Sequence, residues 1–256
     1  MSAGTPDQPL ADSRVQSDYV GWSMSLYPTA GEAGGCWLQG KRRRSGEAGG
    51  GDPARSREEA ERRARTQIRR YCTANRLNRL GTLTYRGEGN HDPALVRSHL
   101  GVFFRRLRRS TGGKPFPYVW VPEWHKTDHG LHAHFAVGRY LRRRDIEAAW
   151  EHGFFSIKLI GDLPVGSGTF AEARKASRYL AKYAGKDFDH EHLPGLHRYE
   201  VAQGFQPEKV TIRHYRLEDA VAAASELMGG PPAYRWNSSD DSPELEGPPR
   251  AWFSWD

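Results

Sequence analysis

The stretch Trp124–Val137, WHKTDHGLHAHFAV, holds four histidines within ten residues, two of them separated by a single residue. Its first half is a polar segment that ends in glycine, and its second half alternates apolar residues with His132 and His134. Such alternation predicts a β-strand on which the two histidines project from one face and their apolar neighbours from the other. Because PFPYVWVPEW (115–124) also has the composition of a strand, the two segments predict a β-hairpin with its turn at 125–130.

The predicted hairpin places a carboxylate on the histidine face. With residues 125–130 in the turn, Glu123 stands opposite His132 and Val121 opposite His134, and directly opposed side chains have Cβ atoms ~5 Å apart. Two imidazoles and one carboxylate leave several coordination positions open, whereas structural zinc sites are closed by four protein ligands. Glu123, His132 and His134 are therefore candidate ligands of a catalytic divalent cation, and this donor set suits Mn²⁺, with Mg²⁺ as the abundant cellular alternative.

The histidine pair taken alone is weak evidence for a metal. Among 11 histidines in 256 residues, chance placement gives about 0.5 pairs with this spacing, so a half-exposed strand with hydrogen-bonded imidazoles is the simpler interpretation. His125 and His129 lie in the predicted turn, where we expect them to face solvent or a polar network. The case for a metal depends on whether the fold brings Glu123 to the histidines.

A second candidate cluster lies in RKASRYLAKYAGKDFD (174–189), within a segment whose Ala, Leu, Arg and Lys content predicts a helix over 169–186. Tyr179 and Tyr183 are four residues apart and therefore share one helical face. Nearby ammonium groups favour the ionised phenol, and a phenolate can attack phosphorus to form a phosphotyrosine. An alternative is a solvated lysine face with two half-buried tyrosines. The basic residues around the tyrosines are candidates for catalysis (Lys182, Lys186) or DNA binding (Lys175, Arg178).

The charge of the chain indicates a polyanionic partner. The net charge is +7, the pI is about 9.5, and basic clusters recur along the sequence, a combination that favours nucleic acid. No segment reaches the ~18 apolar residues that a membrane span needs, so we expect no membrane partner. Cys36 and Cys72 form neither a disulfide framework nor a CxxC pattern. The lack of an apolar signal core predicts an intracellular protein.

Composition predicts one folded domain between two arms. Residues 1–56, rich in Gly, Ser, Ala and Arg, predict a disordered basic arm, and residues 229–256, which mix Pro, Ser and acids with tryptophans, predict a flexible tail. Residues 57–228 then form an α+β domain in which helices cover one face of an antiparallel sheet. Strands are predicted over 79–87, 115–124, 131–140, 154–161 and 208–217, and helices over 57–74, 142–153, 169–186, 218–228 and from Asp92-Pro93 onward.

Three motifs resemble those of rolling-circle replication initiators in the HUH endonuclease superfamily. HAH within GLHAHFAV resembles the HUH motif, in which two histidines flank a hydrophobic residue. YLAKYAGKDFD resembles the tyrosine motif of initiators from plasmids and single-stranded DNA phages, and LGTLTY (80–85) resembles the first motif of the family. The three stand in the order of the family across about residues 77–190.

The resemblance implies an RRM/ferredoxin-like palm, with about five antiparallel strands flanked by helices, and disordered termini. It also implies a metal-dependent, site-specific DNA endonuclease and strand transferase that nicks one strand of an origin, leaving a 5′-phosphotyrosine and a free 3′-OH. By position, His132 and His134 match the HUH histidines, and Glu123 matches the acidic third ligand of many relatives. Tyr183 matches the nucleophile of single-tyrosine plasmid initiators, whereas the Tyr179–Tyr183 pair resembles phage-type initiators in which two tyrosines alternate. Which tyrosine attacks first stays open.

The partners implied by the resemblance are single-stranded and origin DNA. Because no GxxxxGK[ST] phosphate loop is present, strand separation is expected from a host helicase, with a host DNA polymerase extending the 3′-OH. The expected location is the cytoplasm, in association with a plasmid or phage. Three alternatives stay open: a relaxase or single-strand transposase with the same chemistry, a non-catalytic DNA-binding regulator, and a metallohydrolase built on His129, His132 and His134.

Overall fold

The structure is a computed structural model of the chain, and it describes residues 19–40, 53–160, 168–186, 197–244 and 247–255. The strands within these residues are β1 (Val20–Tyr27), β2 (Glu32–Gln39), β3 (Arg79–Tyr85), β4 (Tyr118–Trp124), β5 (Leu131–Val137), β6 (Gly153–Leu159), β7 (Glu200–Val201), β8 (Val210–His214), β9 (Tyr234–Asn237) and β10 (Arg250–Ser254). The helices are α1 (Pro53–Ala74), α2 (Pro93–Ser110), α3 (Arg143–Ala149), α4 (Gly168–Lys186), α5 (Leu217–Met228) and α6 (Ser238–Asp241).

The chain forms two compact units. The central unit comprises residues 50–208, and the terminal unit joins residues 1–49 to residues 209–256. This division differs from the predicted arm over 1–56, domain over 57–228 and tail over 229–256. Strands β1 and β2 lie within the predicted arm, and β9 and β10 lie within the predicted tail. Residues 1–18 and 41–52 of the predicted arm lie outside the described residues.

The central unit contains a five-stranded antiparallel sheet in the order β6-β3-β5-β4-β7. The predicted α+β class and the sheet of about five antiparallel strands are confirmed. The fifth strand is not the predicted one, because the segment near 208–217 contributes β8 to the other sheet. Its place is taken by the two-residue β7, which pairs with Val119 and Trp120 of β4.

Helices pack on both faces of the central sheet, so the expectation that they cover one face is wrong. On one face, Phe103 of α2 and Ile146 of α3 belong to the same buried cluster as Trp120 and Phe135. On the other face, Ile68 and Tyr71 of α1 and Leu180 of α4 pack with Leu80, Val119, Val121 and Ala136. The reason is the alternation within β4 and β5, which supplies large apolar side chains to both faces and so requires a cover on each.

Local sequence sets the ends of several elements in the central unit. Asp92 caps α2 by accepting hydrogen bonds from the backbone N–H groups of Ala94 and Leu95, and Pro93 occupies the first helical turn. Gly81 of β3 lies against Phe135, and a Cβ at this position would stand 2.2 Å from the phenyl ring. Glycine at this position therefore lets the Phe135 ring cross β3.

The terminal unit contains a second five-stranded antiparallel sheet, in the order β8-β1-β2-β10-β9. Helix α5 contributes Ala220 and Ala224 to its core. The buried strand residues of this core alternate along β1, β2 and β10 and are all apolar: Trp22, Met24, Leu26, Ala33, Ala251 and Phe253. Neither end of the chain has enough apolar residues for a core of its own, but together the two ends do.

None of the helices in the described parts of the chain is long and apolar enough to cross a membrane.

Candidate active site

Three side-chain donor atoms converge on one face of the central sheet. Oε2 of Glu123 lies 3.0 Å from Nε2 of His132 and 2.7 Å from Nε2 of His134, and the two imidazole nitrogens are 3.0 Å apart. Among the described residues, this is the group of three acidic, histidine or cysteine side chains placed to hold a metal ion. We call these three residues the metal triad.

The β4–β5 hairpin has the register that the sequence predicts. Glu123 pairs with His132 and Val121 with His134, and the turn is closed by a hydrogen bond of 2.8 Å from the His125 N–H to the Gly130 carbonyl. Directly paired residues project from the same face of an antiparallel sheet. The register therefore brings Glu123 to the histidines, the condition on which the metal interpretation depended.

The spacing of the triad fits an octahedral cation better than a tetrahedral one. With metal–ligand bonds of ~2.1 Å, donor separations of 2.7 to 3.0 Å correspond to angles of about 80° to 90° at the metal. Tetrahedral coordination would require donors about 3.4 Å apart. The three donors thus suit one face of an octahedron, which leaves three positions for water or substrate oxygens. Mn²⁺ and Mg²⁺ fit this arrangement, and the identity of the cation stays a proposal.

Thr82 of β3 orients one of the histidines. Its Oγ1 lies 3.0 Å from Nδ1 of His134, and Thr82 is paired with His134 in the β3–β5 ladder. When His134 binds a metal through Nε2, its Nδ1–H donates to the threonine hydroxyl, which fixes the tautomer and the ring orientation. The sequence interpretation missed this role for Thr82, although the residue lies in LGTLTY, the segment that resembles the first family motif.

The triad is nearly enclosed in the protein. The exposed fractions of the Glu123, His132 and His134 side chains are 10, 11 and 8%. Nδ1 of His132 is also buried and has no hydrogen-bond partner among the described residues. Because buried polar groups that are not fully paired are unfavourable, the triad is better explained by a ligand that it binds than by a contribution to folding.

The turn histidines are engaged elsewhere. The Nε2–H of His129 donates to the Tyr85 carbonyl at 2.8 Å, so this nitrogen is not available to a metal. Nδ1 of His125 lies 2.7 Å from the Thr127 hydroxyl within the turn. These contacts match the expected polar network and argue against a metallohydrolase built on His129, His132 and His134.

Helix α4 lies on the same face of the sheet as the triad. Its Leu180 and Ala176 are fully buried with Val121 of β4 and Ala136 of β5. The opposite side of the helix is open to solvent, and Arg178, Tyr179 and Lys182 are exposed while Lys175 is half-buried. The predicted division of α4 into an apolar side and a Tyr/Lys side is therefore present in its described residues. Tyr183 and Lys186 belong to α4, but their side chains lie outside the described residues.

Tyr179 has a basic neighbour that the sequence interpretation missed. The Nζ atom of Lys158, on β6, lies 5.9 Å from the centre of the Tyr179 ring, and Tyr179 is 39% exposed. No sequence signal identifies Lys158, because β6 and α4 are separated along the chain and meet only in the folded sheet. The contact brings a cation from the sheet edge to a candidate nucleophile.

Other tyrosines of the central unit are structural. Burial raises the pKa of the Tyr71, Tyr85 and Tyr118 phenols above the ordinary value, which disfavours the phenolate. The Tyr71 hydroxyl donates to the Ala202 carbonyl at 3.1 Å. Cys72 is likewise buried, and burial raises the pKa of its thiol, so it is not a reactive nucleophile.

Comparison with known proteins supports the same region. Residues 78–188 match the family model of the replication-associated protein ORF2. The matched segment contains Thr82, the metal triad and the tyrosines of α4, and the match confirms the resemblance to replication initiators at the level of the family. No curated protein and no solved structure was found to match the chain.

Proposed function

We propose, from the match of residues 78–188 to replication-associated proteins, that this chain nicks and rejoins one DNA strand at a replication origin. The observation that carries the proposal is the convergence of Glu123, His132 and His134 at 2.7 to 3.0 Å on the sheet face that also supports α4. A metal triad beside a helix with tyrosines and lysines is the combination that a phosphotyrosine mechanism requires.

The triad would hold Mn²⁺ or Mg²⁺ through one carboxylate oxygen and two imidazole nitrogens. A cation bound there would act as a Lewis acid on the non-bridging oxygens of the scissile phosphate. Thr82 would keep Nε2 of His134 free of a proton, and Glu123 would supply the negative charge that favours a divalent ion. The open side of the triad leaves room for phosphate oxygens.

The nucleophile would be Tyr179 or Tyr183. The phenolate oxygen attacks the phosphorus, the bond to the 3′-oxygen breaks, and that oxygen takes a proton to give a free 3′-OH, while the 5′-phosphate becomes esterified to the tyrosine. Lys182 and Lys186 are the candidates to stabilise the charge on the phosphate. The reverse attack by a 3′-OH rejoins the strand without ATP, because the phosphoester bond is exchanged rather than hydrolysed.

Basic side chains would hold the DNA. Lys175 and Arg178 on α4 are candidates for contacts with the phosphates, which dominate nucleic-acid affinity. The proposed substrate is single-stranded or locally unwound origin DNA. The proposal includes a host helicase, a host polymerase and a plasmid or phage replicon in the cytoplasm as the setting.

Covalent adduct formation tests the proposal. Oligonucleotides that tile the origin region are labelled at the 3′ end, because a 5′-phosphotyrosine keeps the 3′ portion of the cut strand on the protein. Wild-type protein with Mn²⁺ is expected to form a labelled adduct that EDTA abolishes. Tyr179→Phe and Tyr183→Phe are expected to reduce it to different extents, and the double variant is expected to form none.

Tyr140→Phe is the matched control, since Tyr140 is an exposed tyrosine outside α4, and it is expected to leave the adduct unchanged. Full adduct formation by the double variant would contradict the tyrosine mechanism. DNA retention by the wild type with no adduct at any metal concentration would favour the DNA-binding regulator. Cutting at a transfer origin or a transposon end would favour the relaxase or transposase.

A further inference from the structure

The edge strand β6 exposes a stripe of three side chains on one face. Phe154, Ser156 and Lys158 alternate along the strand and are all exposed. Phe155 and Ile157 point to the other face, where they pack against the core formed with α2 and α3. Strand β6 lies at one end of the central sheet and is paired with β3. We call Phe154, Ser156 and Lys158 the β6 stripe.

The β6 stripe lies on the face of the metal triad. Ser156 is paired with Thr82 across the β3–β6 ladder, and Thr82 is paired with His134 across the β3–β5 ladder. Paired residues share a face, so Ser156, Thr82 and His134 form one row on the same side of the sheet. Two strand spacings, about 10 Å, separate the backbone of Ser156 from that of His134.

Phe154 is unusually open for a large apolar residue in a strand. Its exposed fraction is 70%, and it pairs with Thr84, two residues along β3 from the threonine that contacts His134. At the other end of the stripe, Lys158 lies beside Tyr179. An aromatic ring, a hydroxyl and a cation thus follow one another along the sheet edge beside the triad and a candidate nucleophile.

We propose that the β6 stripe binds the single-stranded DNA segment next to the scissile phosphate, with a base stacked on Phe154 and a backbone phosphate on Lys158. This inference rests on the proposed function and adds the substrate contacts that position the strand. Aromatic side chains stack on bases of any sequence, and cations along the same groove track the backbone. Ser156 supplies a hydroxyl donor between them, of the kind that commonly contacts phosphate or sugar.

The chemistry of the stripe favours nucleic acid over a second protein. A protein interface of ordinary size buries about 800 Å² on each partner and has an apolar centre. The β6 stripe offers one aromatic ring followed by a hydroxyl and an ammonium group, and the apolar residues between them are turned to the opposite face. A negatively charged strand with exposed bases complements both the ring and the charge.

Binding without cleavage tests the inference. The affinity of a labelled single-stranded oligonucleotide is measured by fluorescence anisotropy in EDTA, so that neither metal binding nor nicking contributes. Phe154→Ala is expected to weaken binding about tenfold, within the range of a lost stacking contact, while Phe154→Trp retains it. Lys158→Gln is expected to weaken binding and to reduce the dependence of affinity on salt.

Leu159→Ala is the matched control, because Leu159 lies on the same strand, is 50% exposed and is paired with Arg79 on the opposite face. It is expected to leave the affinity unchanged. Equal affinities for wild type, Phe154→Ala and Leu159→Ala would overturn the inference. Equal losses in Phe154→Ala and Leu159→Ala would do so as well, since they would indicate a general effect on β6.

An abasic scan locates the stacked base. Removing one base at a time from the oligonucleotide is expected to reveal one position at which wild type and Phe154→Ala bind equally, because the stacking partner is missing in both cases. A constant ratio between the two proteins at every position would contradict stacking. The inference fails alone if wild type forms the tyrosine adduct but Phe154 has no effect on binding, and the proposed function fails alone if Phe154 matters for binding but no adduct forms.

Discussion

The two five-stranded sheets of this protein differ in what they bury. In the terminal unit, the strand residues that pack with α5 are apolar, including Trp22, Met24 and Phe253. In the central unit, the face that packs with α1 and α4 buries Val119, Val121 and Ala136 but also carries Glu123, His132 and His134. Packing alone accounts for the first sheet but not for the second.

The difference separates stability from function. An apolar face gains free energy from each buried side chain, whereas a buried carboxylate between two imidazoles loses hydration and recovers it only through its partners. Such a cluster is expected where a site needs it. The triad of the central unit therefore indicates chemistry, and the core of the terminal unit indicates packing. Each of the following predictions tests one side of this contrast.

The largest expected effect is the loss of metal binding when the triad is altered. Glu123→Gln keeps the shape of the side chain but removes the charge, and it is expected to reduce adduct formation more than about a hundredfold. In wild type, Mn²⁺ is expected to raise the Tm, since a ligand that binds the folded state stabilises it. In the variant this rise is expected to disappear, while the Tm in EDTA changes little. Thermal denaturation with and without Mn²⁺ measures both.

Thr82→Val is the graded companion of that variant. It removes the hydroxyl that accepts from His134 but leaves the triad, so it is expected to weaken the Mn²⁺ affinity by roughly 10- to 100-fold. A Tm that rises equally with Mn²⁺ in wild type and in Glu123→Gln would show that the triad is not the metal site.

A stability effect is expected from the terminal unit. Phe253 is 3% exposed in the core beneath α5, and Phe253→Ala is expected to reduce the free energy of unfolding of this unit by about 3–5 kcal/mol. Amide hydrogen exchange in β1 and β2 measures the loss. Tyr234→Ala, at an exposed position of β9, is the control with little expected effect. If residues 229–256 were a flexible tail, Phe253→Ala would leave the exchange of β1 and β2 unchanged.

The smallest expected effect is a pH dependence in the central unit. His99 and His152 are stacked with ring centres 3.7 Å apart, and the Tyr85 hydroxyl lies 3.1 Å from Nδ1 of His99. Burial lowers the pKa of both histidines, and each is further affected by a nearby charge, His152 itself in the case of His99 and Glu151, Arg106 and Arg86 in the case of His152.

The sign follows from proton linkage. A histidine with a lowered pKa in the folded state binds fewer protons there than in the unfolded chain, so the free energy of unfolding falls as the pH decreases through about 6.5. Urea denaturation at pH 7.5, 6.5 and 5.5 is expected to show this fall, and the double variant His99→Gln, His152→Gln is expected to show a smaller one. An equal fall in the double variant would contradict the assignment.

Local patterns are sufficient to predict the centre of the candidate site. Turn length and two-residue periodicity place Glu123 opposite His132, because a one-residue shift would exchange the two faces of the strand. Asp92-Pro93 likewise marks the start of α2. The match of residues 78–188 to replication-associated proteins agrees with the motifs that carry the resemblance.

The roles of Thr82, Lys158 and the terminal unit could not be predicted in the same way. Thr82 meets His134 because β3 is inserted between β5 and β6, and Lys158 meets Tyr179 because α4 packs back over the sheet. Strands β1, β2 and β10 each carry alternating apolar residues, but each end of the chain alone has the composition of a disordered arm. The pairing of β2 with β10 connects segments about 200 residues apart, and no local pattern specifies such a partner.

The amino-acid sequence alone specifies the metal-triad hairpin, the Tyr/Lys side of α4 and the α+β class, because periodicity and turn length act over a few residues. Long-range packing sets which strands are neighbours, which helices cover each face and how the two ends of the chain form one sheet. These choices depend on pairing between distant segments, in which the entropy of closing a long loop is offset only when complementary apolar faces are buried together.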